Sequence, residues 1–245
     1  MIKLSDRVYY TAHNDETDRP VLGYVRGDRY ALMVDAGNSS KHAELFLQSL
    51  REERLPYPDY VAITHWHWDH IFGMDTVRAK AITNTLTDHR LKKMQLWKWD
   101  DASMDLRAAN GEESPVCNRN IRKELPDRSG LTIKSGDIVY DSRLTVDLGG
   151  VHCELIHVGG CHSEDCSVVF VPEEKVLFIG DADCGGSKTE NPLEKTEKLL
   201  ALFESLDFEL CVCGHTEHEG RHDFLASLRE DIEQYRRESD KRPVY

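Results

Sequence analysis

The chain has 245 residues, of which 40% are hydrophobic, so it can bury a sizeable core. Its formal net charge is −13, from 44 acidic and 31 basic residues. Because a surface this acidic repels polyanions, we expect no nucleic-acid partner. No apolar run approaches the ~20 residues of a membrane-spanning helix, so we also expect no membrane association.

The N-terminal residues Met1 to Arg7 mix charged and apolar side chains. A secretory signal needs a continuous apolar stretch of about 7–15 residues after its charged start. This chain has no such stretch near its N-terminus, and we therefore expect a cytoplasmic protein.

Strands and one helix are predicted in the first part of the chain. Short apolar runs predict strands over residues 7–11, 21–25 and 30–34. Gly27-Asp28 is a turn signal between the second and third runs, which therefore form a hairpin. Ser39 or Ser40 is a candidate N-cap for a helix that reaches about Arg54 and carries apolar side chains on one face.

A cluster of potential metal ligands follows the apolar run Tyr60 to Ile63, which is predicted to be a buried strand. Six consecutive positions contain three histidines and one aspartate: His65, His67, Asp69 and His70. A loop at the end of a strand is held by the sheet, so these side chains can converge on one place. Imidazole suits zinc, iron, copper and nickel, and a carboxylate adds an anionic ligand or a bridge. The cluster therefore predicts a metal site.

The interval from residue 84 to 130 has the least regular pattern. It follows a predicted short helix over 71–74 and a predicted strand over 79–83. A helix is predicted over 87–99. Asp100-Asp101 and the charged region over 111–128, which contains two prolines, are predicted to be loops or mobile segments. Trp97 and Trp99 have two interpretations: a lid or dimerisation element, or packing onto the chain's own core.

The second half of the chain returns to β-structure and ends in a helix. Apolar periodicity predicts the final helix over residues 224–237. Strands are predicted over residues 131–133, 138–140, 144–147, 151–157, 167–171, 175–179 and 209–213.

The motif His-x-His-x-Asp-His after an apolar strand resembles the metallo-β-lactamase superfamily, in its glyoxalase II-like, two-metal branch. The resemblance implies a single domain over residues 1–245. It implies the α/β fold of that superfamily, a four-layer αββα sandwich. It also implies that the interval around 84–130 is a variable helical or loop insertion that covers the substrate.

The resemblance assigns two positions on either side of the cluster. Asp35 matches an aspartate that supports a metal-ligating histidine without itself binding the metal. His162 matches the next metal-binding histidine of the family. The preceding residue, Cys161, departs from the family's usual turn, and we expect it to pack beside the site.

Two further positions complete the implied ligand set, and each has alternatives. Asp181 matches the bridging carboxylate, with Cys184 as a rival ligand. His215 matches the last histidine. His218 and His222 lie close to it in the sequence and are its alternatives.

The resemblance implies a two-metal hydrolase that acts on a small molecule. A hydroxide bridging two divalent metal ions, foremost zinc and otherwise manganese or iron, would cleave an ester, thioester, lactone or phosphodiester, with Asp69 orienting it. The sequence does not distinguish a monomer from a homo-oligomer. The rival interpretation is an oxidoreductase similar to persulfide dioxygenases, with one iron at His65, His162 and Asp181. In the two-metal interpretation, one ion binds His65, His67 and His162, the other binds Asp69, His70 and His215, and Asp181 lies between them.

Overall fold

The computed structural model describes residues 1–183 and 190–240. Within these residues the strands form two sheets, one of seven strands in the order β1 to β7 and one of six in the order β13-β12-β11-β10-β9-β8. The strands are β1 Ile2–Lys3, β2 Val8–Thr11, β3 Leu22–Arg26, β4 Ala31–Val34, β5 Tyr60–Ala62, β6 Lys80–Asn84, β7 Ile138–Tyr140, β8 Arg143–Asp147, β9 His152–His157, β10 Ser167–Val171, β11 Val176–Gly180, β12 Leu210–Cys213 and β13 Glu219–Gly220. The helices are α1 Ser40–Glu52, α2 Trp68–Ile71, α3 Met74–Val77, α4 Thr85–Met94, α5 Asp101–Ala109, α6 Pro115–Glu124, α7 Pro192–Ser205 and α8 Arg221–Asp240.

Three apolar layers hold the elements together. The middle layer lies between the two sheets, where Leu32 of β4 belongs to the same buried cluster as Val169 of β10. A second layer joins the seven-stranded sheet to the helices from α1 to α6. The third joins the six-stranded sheet to α7 and α8, with Phe203 and Phe224 in contact. The order helix, sheet, sheet, helix confirms the predicted αββα sandwich.

Strand direction brings the ends of several strands to one edge of the sandwich. In the first sheet β4, β5 and β6 run parallel to one another. In the second sheet β11 and β12 are also parallel. Side chains that follow parallel strands meet at a common edge, which is where ligands bind in open α/β sheets.

Local signals explain where the first helix begins and ends. The Ser39 side chain accepts a hydrogen bond from the backbone N–H of His42, which satisfies one of the free donors of the first turn. Beyond the helix, Arg54 adopts a left-handed conformation with φ of 56°, and Pro56 follows. Apolar residues of α1 such as Phe46 and Leu50 are buried, as their spacing predicts.

The prediction of a loop over 111–128 is wrong, because α6 occupies Pro115–Glu124, and α5, which begins at Asp101, was not predicted. The Asp100 carboxylate caps α5 through the backbone N–H of Ser103, and the Ser114 hydroxyl caps α6 through that of Val116. Pro115 in the first turn of α6 needs no hydrogen-bond partner for a backbone N–H. These capping hydrogen bonds therefore stabilise two helices in a segment whose high charge is typical of a loop.

Trp97 and Trp99 pack onto the chain's own core. Helix α4 ends at Met94, five residues before the predicted end at Trp99. The Trp99 ring lies edge-on to Phe72, with 5.0 Å between ring centroids. The Arg107 guanidinium stacks on both indoles, 4.5 and 4.7 Å from their centroids. Core packing is therefore the correct interpretation of the two.

Other departures from prediction are smaller. Residues 131–133 form no strand, since Ile133 packs its side chain into the core while its carbonyl accepts a hydrogen bond from the Gln95 side chain. Helices α2 and α3 span 68–77, where a single short helix over 71–74 was predicted. Helix α7 was not predicted, and α8 confirms the C-terminal helix. No helix in residues 1–183 or 190–240 has the length and apolar character needed to cross a membrane.

Candidate metal centre

The predicted ligands all follow strand ends at the shared edge. His65 comes three residues after β5, and Asp181 directly follows β11. His215 stands two residues after β12, and His162 five residues after β9. The rest of the cluster is placed by α2, whose first turn carries Asp69 and His70. Four separate segments of the chain thus meet at one place.

Three imidazoles form the first group of potential ligands. The Nδ1 atom of His67 lies 3.0 Å from His65 Nε2 and 2.7 Å from His162 Nε2. His65 is fully buried, whereas His67 and His162 are partly accessible from the cleft. Their three nitrogens lie within 4.8 Å of one another, so one cation can contact all of them.

A second group contains two carboxylates and two imidazoles. The Asp69 Oδ2 atom lies 3.2 Å from His70 Nε2 and 3.1 Å from His215 Nε2. Asp181 belongs to the same group, with its Oδ2 atom 3.5 Å from His70 Nε2 and 3.4 Å from His215 Nε2. This mixed oxygen and nitrogen set suits a divalent metal ion.

Asp181 also reaches the first group. Its Oδ2 atom lies 3.5 Å from His162 Nε2 and 3.9 Å from His65 Nε2. One carboxylate oxygen is thus within 4 Å of imidazoles from both groups. That is the position of a bridging carboxylate, which the sequence predicts for this residue.

The spacing between the carboxylate oxygens and the imidazole nitrogens is compatible with ligands that share a metal ion. Four ligands of a tetrahedral zinc ion, each about 2.0 Å from the metal, lie about 3.3 Å apart. The contacts of Asp181 and Asp69 with the histidines, at 3.1 to 3.9 Å, centre on that value. His70 Nε2 and Asp181 Oδ1 are buried without a hydrogen bond to any residue that the structure describes. Buried polar atoms without partners point to an ion that both groups can hold.

Asp35 forms a hydrogen bond to the nitrogen of His70 that faces away from the second group. Its Oδ2 atom accepts a hydrogen bond from His70 Nδ1 at 2.8 Å, which leaves Nε2 facing the second group. Its Oδ1 atom accepts from the backbone N–H of Thr64 at 2.8 Å. The Asp35 backbone has a φ of 58°, a left-handed conformation that aspartate tolerates better than most residues. The aspartate therefore fixes both the orientation and the tautomer of His70.

Protonation differs between the two groups. Burial lowers the pKa of His67 to about 3, and neighbouring histidines contribute to this shift. Burial also opposes the charged form of His215, but hydrogen bonds to Asp181 and Asp69 outweigh it and raise the pKa of His215 to about 10. The first group is therefore a set of neutral donors, whereas the second balances two carboxylates against protonated imidazoles. A metal ion in the second group would displace protons from the histidines.

Comparison with known proteins identifies the family. The family model for the metallo-beta-lactamase superfamily matches residues 21–215. The chain belongs to the metallo-β-lactamase superfamily. Members of this superfamily bind metal ions, and this member has two His/Asp groups in which such ions fit.

Several solved structures share the fold at low sequence identity. A metallo-beta-lactamase from Pontibacter korlensis is 19% identical, with a TM-score of 0.60 over 95% of this chain and 97% of that chain. A metallo-beta-lactamase family protein from Thermus thermophilus is 16% identical, with a TM-score of 0.67 over 96% and 81%. The stereoselective inverting sec-alkylsulfatase Pisa1 from a Pseudomonas species is 14% identical, with a TM-score of 0.69 over 95% and 41%. A search of curated proteins gave no match.

The loop that carries His65 and His67 is fixed by an aspartate that sequence reasoning missed. The Asp165 carboxylate accepts hydrogen bonds from the backbone N–H of Trp66 at 2.9 Å and from the Thr87 hydroxyl at 2.8 Å. Asp165 is buried, and Ser163 also donates to it. Its one sequence signal was its place three residues after His162, which does not indicate a partner 99 positions away.

Two cavities meet at the candidate metal centre, and both are lined by His67 and His162. The larger, of about 1060 Å³, also contains Asp69, Asp181 and His215. Its outer wall is built by residues of the α5–α6 segment, from Gly111 to Cys117. Residues of the 84–130 interval therefore form part of the cleft wall of this superfamily member.

The alternative ligands do not join the described site. The imidazole of His218 pairs with the Tyr10 hydroxyl at 2.8 Å, and His222 is exposed. Cys161 is buried and packs against Tyr235 and Leu193 beside the cleft, as expected. Cys184, the rival of Asp181, lies outside the described residues.

Proposed function

We propose that this superfamily member is a binuclear metal-dependent hydrolase that cleaves an ester, thioester, lactone or phosphodiester bond of a small substrate. The observation that carries the proposal is the position of Asp181. One of its oxygens lies within 4 Å of imidazoles from both ligand groups, at 3.4 Å from His215 and 3.5 Å from His162. A carboxylate in this position is suited to bind two adjacent cations at once.

In this proposal the two groups divide the ions between them. His65, His67 and His162 hold one ion, and Asp69, His70 and His215 hold the other, with Asp181 shared. When bound, the ions supply Lewis acidity and a water of lowered pKa, which two-metal sites use for hydrolysis. Zinc suits a set of imidazole nitrogens and carboxylate oxygens, and manganese or iron are the alternatives.

The chain's own residues then have defined tasks. Asp69 lines the cleft beside His70 and His215, where it would orient the attacking water. Asp35 keeps His70 in one tautomer through its hydrogen bond to Nδ1. Trp66 and Asp165 hold the histidine loop in place. The cleft positions the scissile bond beside these groups, so binding energy is used for orientation.

The alternative is a single-iron oxidoreductase that uses His65, His162 and Asp181. That arrangement would leave Asp69, His70 and His215 without a cation. The second group offers donor atoms from four residues, and its buried His70 Nε2 atom has no hydrogen bond among the described residues. Asp35 also orients His70 through a hydrogen bond to Nδ1. We therefore favour the two-metal hydrolase.

The test is metal content measured by elemental analysis on protein purified anaerobically. About two zinc or manganese ions per chain, together with turnover of a member of an ester, thioester, lactone and phosphodiester panel, is the expected result. About one iron per chain, with oxygen uptake on a persulfide substrate and no hydrolysis, would overturn the proposal.

A further inference from the structure

The smaller cavity beside the metal centre contains an arginine with no acidic partner among the residues that the structure describes. Arg90 of α4 lines this cavity of about 620 Å³ together with His67 and His162. Across residues 1–183 and 190–240, Arg90 makes no ion pair. Lys93, one turn further along α4, is paired instead with Glu112 at 2.6 Å. Arg90 therefore keeps its charge available next to the candidate metal ligands.

The Arg90 guanidinium lies over an aromatic ring. Its central carbon lies 4.5 Å from the centroid of the Trp66 ring, a stacking distance. The indole is itself fixed, because its Nε1–H donates to the Ser163 hydroxyl at 3.1 Å and its backbone N–H donates to Asp165. Trp66 stands between His65 and His67 in the sequence, so the stacked guanidinium is tied to the ligand loop.

A stacked arginine presents its N–H edge rather than its face. That edge is a planar fork of donors that matches the two oxygens of a carboxylate, or two oxygens of a phosphoryl group. Among the carboxylates of the cavity, Asp165 is engaged by Trp66 and Thr87, and Glu164 and Glu190 are exposed to solvent. An incoming oxyanion is therefore the fitting partner for Arg90.

The larger cavity has an acidic lining, whereas the lining of the smaller cavity includes both basic and acidic side chains. Asp18, Glu112 and Glu113 line it outside the candidate metal ligands, and its described lining contains no lysine or arginine. Its remaining wall includes the apolar side chains of Met94 and Val116. An anionic group would be repelled there, whereas a neutral apolar group would be accepted.

We propose that the substrate carries an oxyanion, a carboxylate or a phosphoryl group, that Arg90 binds in the smaller cavity, while the neutral part of the substrate occupies the larger cavity. The inference rests on the proposed hydrolase function, because it places the scissile bond between the two cavities. Arg90 is thus the residue that selects an anionic substrate and sets its direction in the cleft.

The first test measures binding, so it does not depend on turnover. Isothermal titration of the zinc-loaded protein compares succinate, glutarate and adipate with their monomethyl esters, which keep one carboxylate for the metal centre and lose the second. At least one diacid is expected to bind about 10- to 100-fold more tightly than its monoester, the range for a charged bidentate contact. The compound 3-phosphonopropionate distinguishes a phosphoryl from a carboxylate preference at the same position.

The variant Arg90→Gln is expected to remove this preference and to leave binding of the monoesters unchanged. Its matched control is Arg51→Gln, because Arg51 also lies over an aromatic ring, that of Tyr57, but far along the chain from the cleft. Equal affinity of the wild-type protein for every diacid and its monoester, or a preference that persists in Arg90→Gln, would overturn the inference.

The second test uses the hydrolysis panel in matched pairs, with a free or a methylated carboxylate. The ratio of kcat/KM for the anionic and the neutral member is expected to fall by about 10- to 100-fold in Arg90→Gln. Hydrolysis without any such discrimination would contradict the proposed role of Arg90 but not the proposed hydrolase function. An absence of hydrolysis together with an Arg90-dependent diacid preference contradicts the proposed function and leaves the anion site intact.

Discussion

The Nδ1 atom of His70 donates a hydrogen bond to Oδ2 of Asp35 over 2.8 Å, and both side chains are buried. This contact turns the second nitrogen of His70 toward Asp69 and Asp181. Because a metal ligand needs a lone pair on Nε2, the proton must stay on Nδ1. Asp35 is the group that keeps it there.

The first prediction therefore concerns Asp35→Asn. The amide can donate to Nδ1 and move the ring proton to Nε2, which blocks that atom as a ligand. Metal affinity of the second group is expected to fall by about 10- to 100-fold. Titration of metal-free protein against a chromophoric zinc chelator measures it. Asp59→Asn is the matched control, because Asp59 also accepts a backbone N–H, from Ala31, but away from the site; an equal loss in both variants would contradict the prediction.

The candidate site residues could be proposed from the sequence because they follow strong local signals. Asp35, Asp181 and His215 each stand within two residues of the end of an apolar run that forms a strand. Parallel strands then bring those ends to one edge, whatever the sequence distance between them. Most of the longer β-strands were predicted from such apolar runs, but the run at 131–133 forms no strand, and the two-residue strands β1 and β13 were not predicted.

The parts that prediction missed depend on contacts between distant residues or on caps in polar segments. Helices α5 and α6 lie in a stretch whose charge is typical of a loop, and only their capping side chains distinguish it. The contacts of Trp66 with Asp165 and of Arg90 with Trp66 join segments that no short motif connects. The residues that line the cleft could therefore be identified only from the structure.

A second prediction tests the first ligand group through His67→Ala. His67 precedes α2 but its side chain caps no backbone N–H, so the fold is expected to persist. Hydrolysis should fall to background and metal content from about two ions to about one per chain. Circular dichroism and elemental analysis check the two expectations. His89→Ala changes a histidine of the smaller cavity that belongs to neither ligand group, and it should retain metal and turnover.

The choice among the three C-terminal histidines is tested by three alanine variants. His215→Ala is expected to lose the second ion, because its Nε2 atom contacts both Asp69 and Asp181. His218→Ala removes a hydrogen bond to Tyr10 and His222→Ala changes an exposed residue, so both should bind two metal ions. Zinc content after gel filtration provides the measurement. Wild-type zinc content in His215→Ala would refute its assignment as a ligand.

A fourth prediction concerns the pH dependence of stability. Burial lowers the pKa of His42 from 6.5 to about 4, and Arg19 adds to the shift. Between these values the unfolded chain binds a proton that the folded chain does not, so stability falls as pH falls from 6.5 toward 4. The full loss is on the order of 3 kcal/mol.

Urea unfolding of the metal-free protein at several pH values measures this contribution. The variant His42→Gln is expected to show a shallower decline of the unfolding free energy between pH 6.5 and 4 than the wild-type chain. His222→Gln, at an exposed position of α8, controls for the loss of an imidazole. Parallel curves for the wild-type chain and His42→Gln would show that the buried imidazole is not responsible.

The last prediction concerns the contact between Gly214 and Asp181. A Cβ atom at position 214 would lie 1.9 Å from Asp181 Oδ1, so Gly214→Ala must displace the carboxylate that lies between the two ligand groups. Because both ions depend on Asp181 in the proposed site, both should bind more weakly, while β12 keeps its pairing. Gly220→Ala is the matched control, since a Cβ there has no neighbour within 4 Å. Chelator competition and hydrolysis rates compare the two variants. Full metal content and full activity in Gly214→Ala would show that the bridging position of Asp181 is not required.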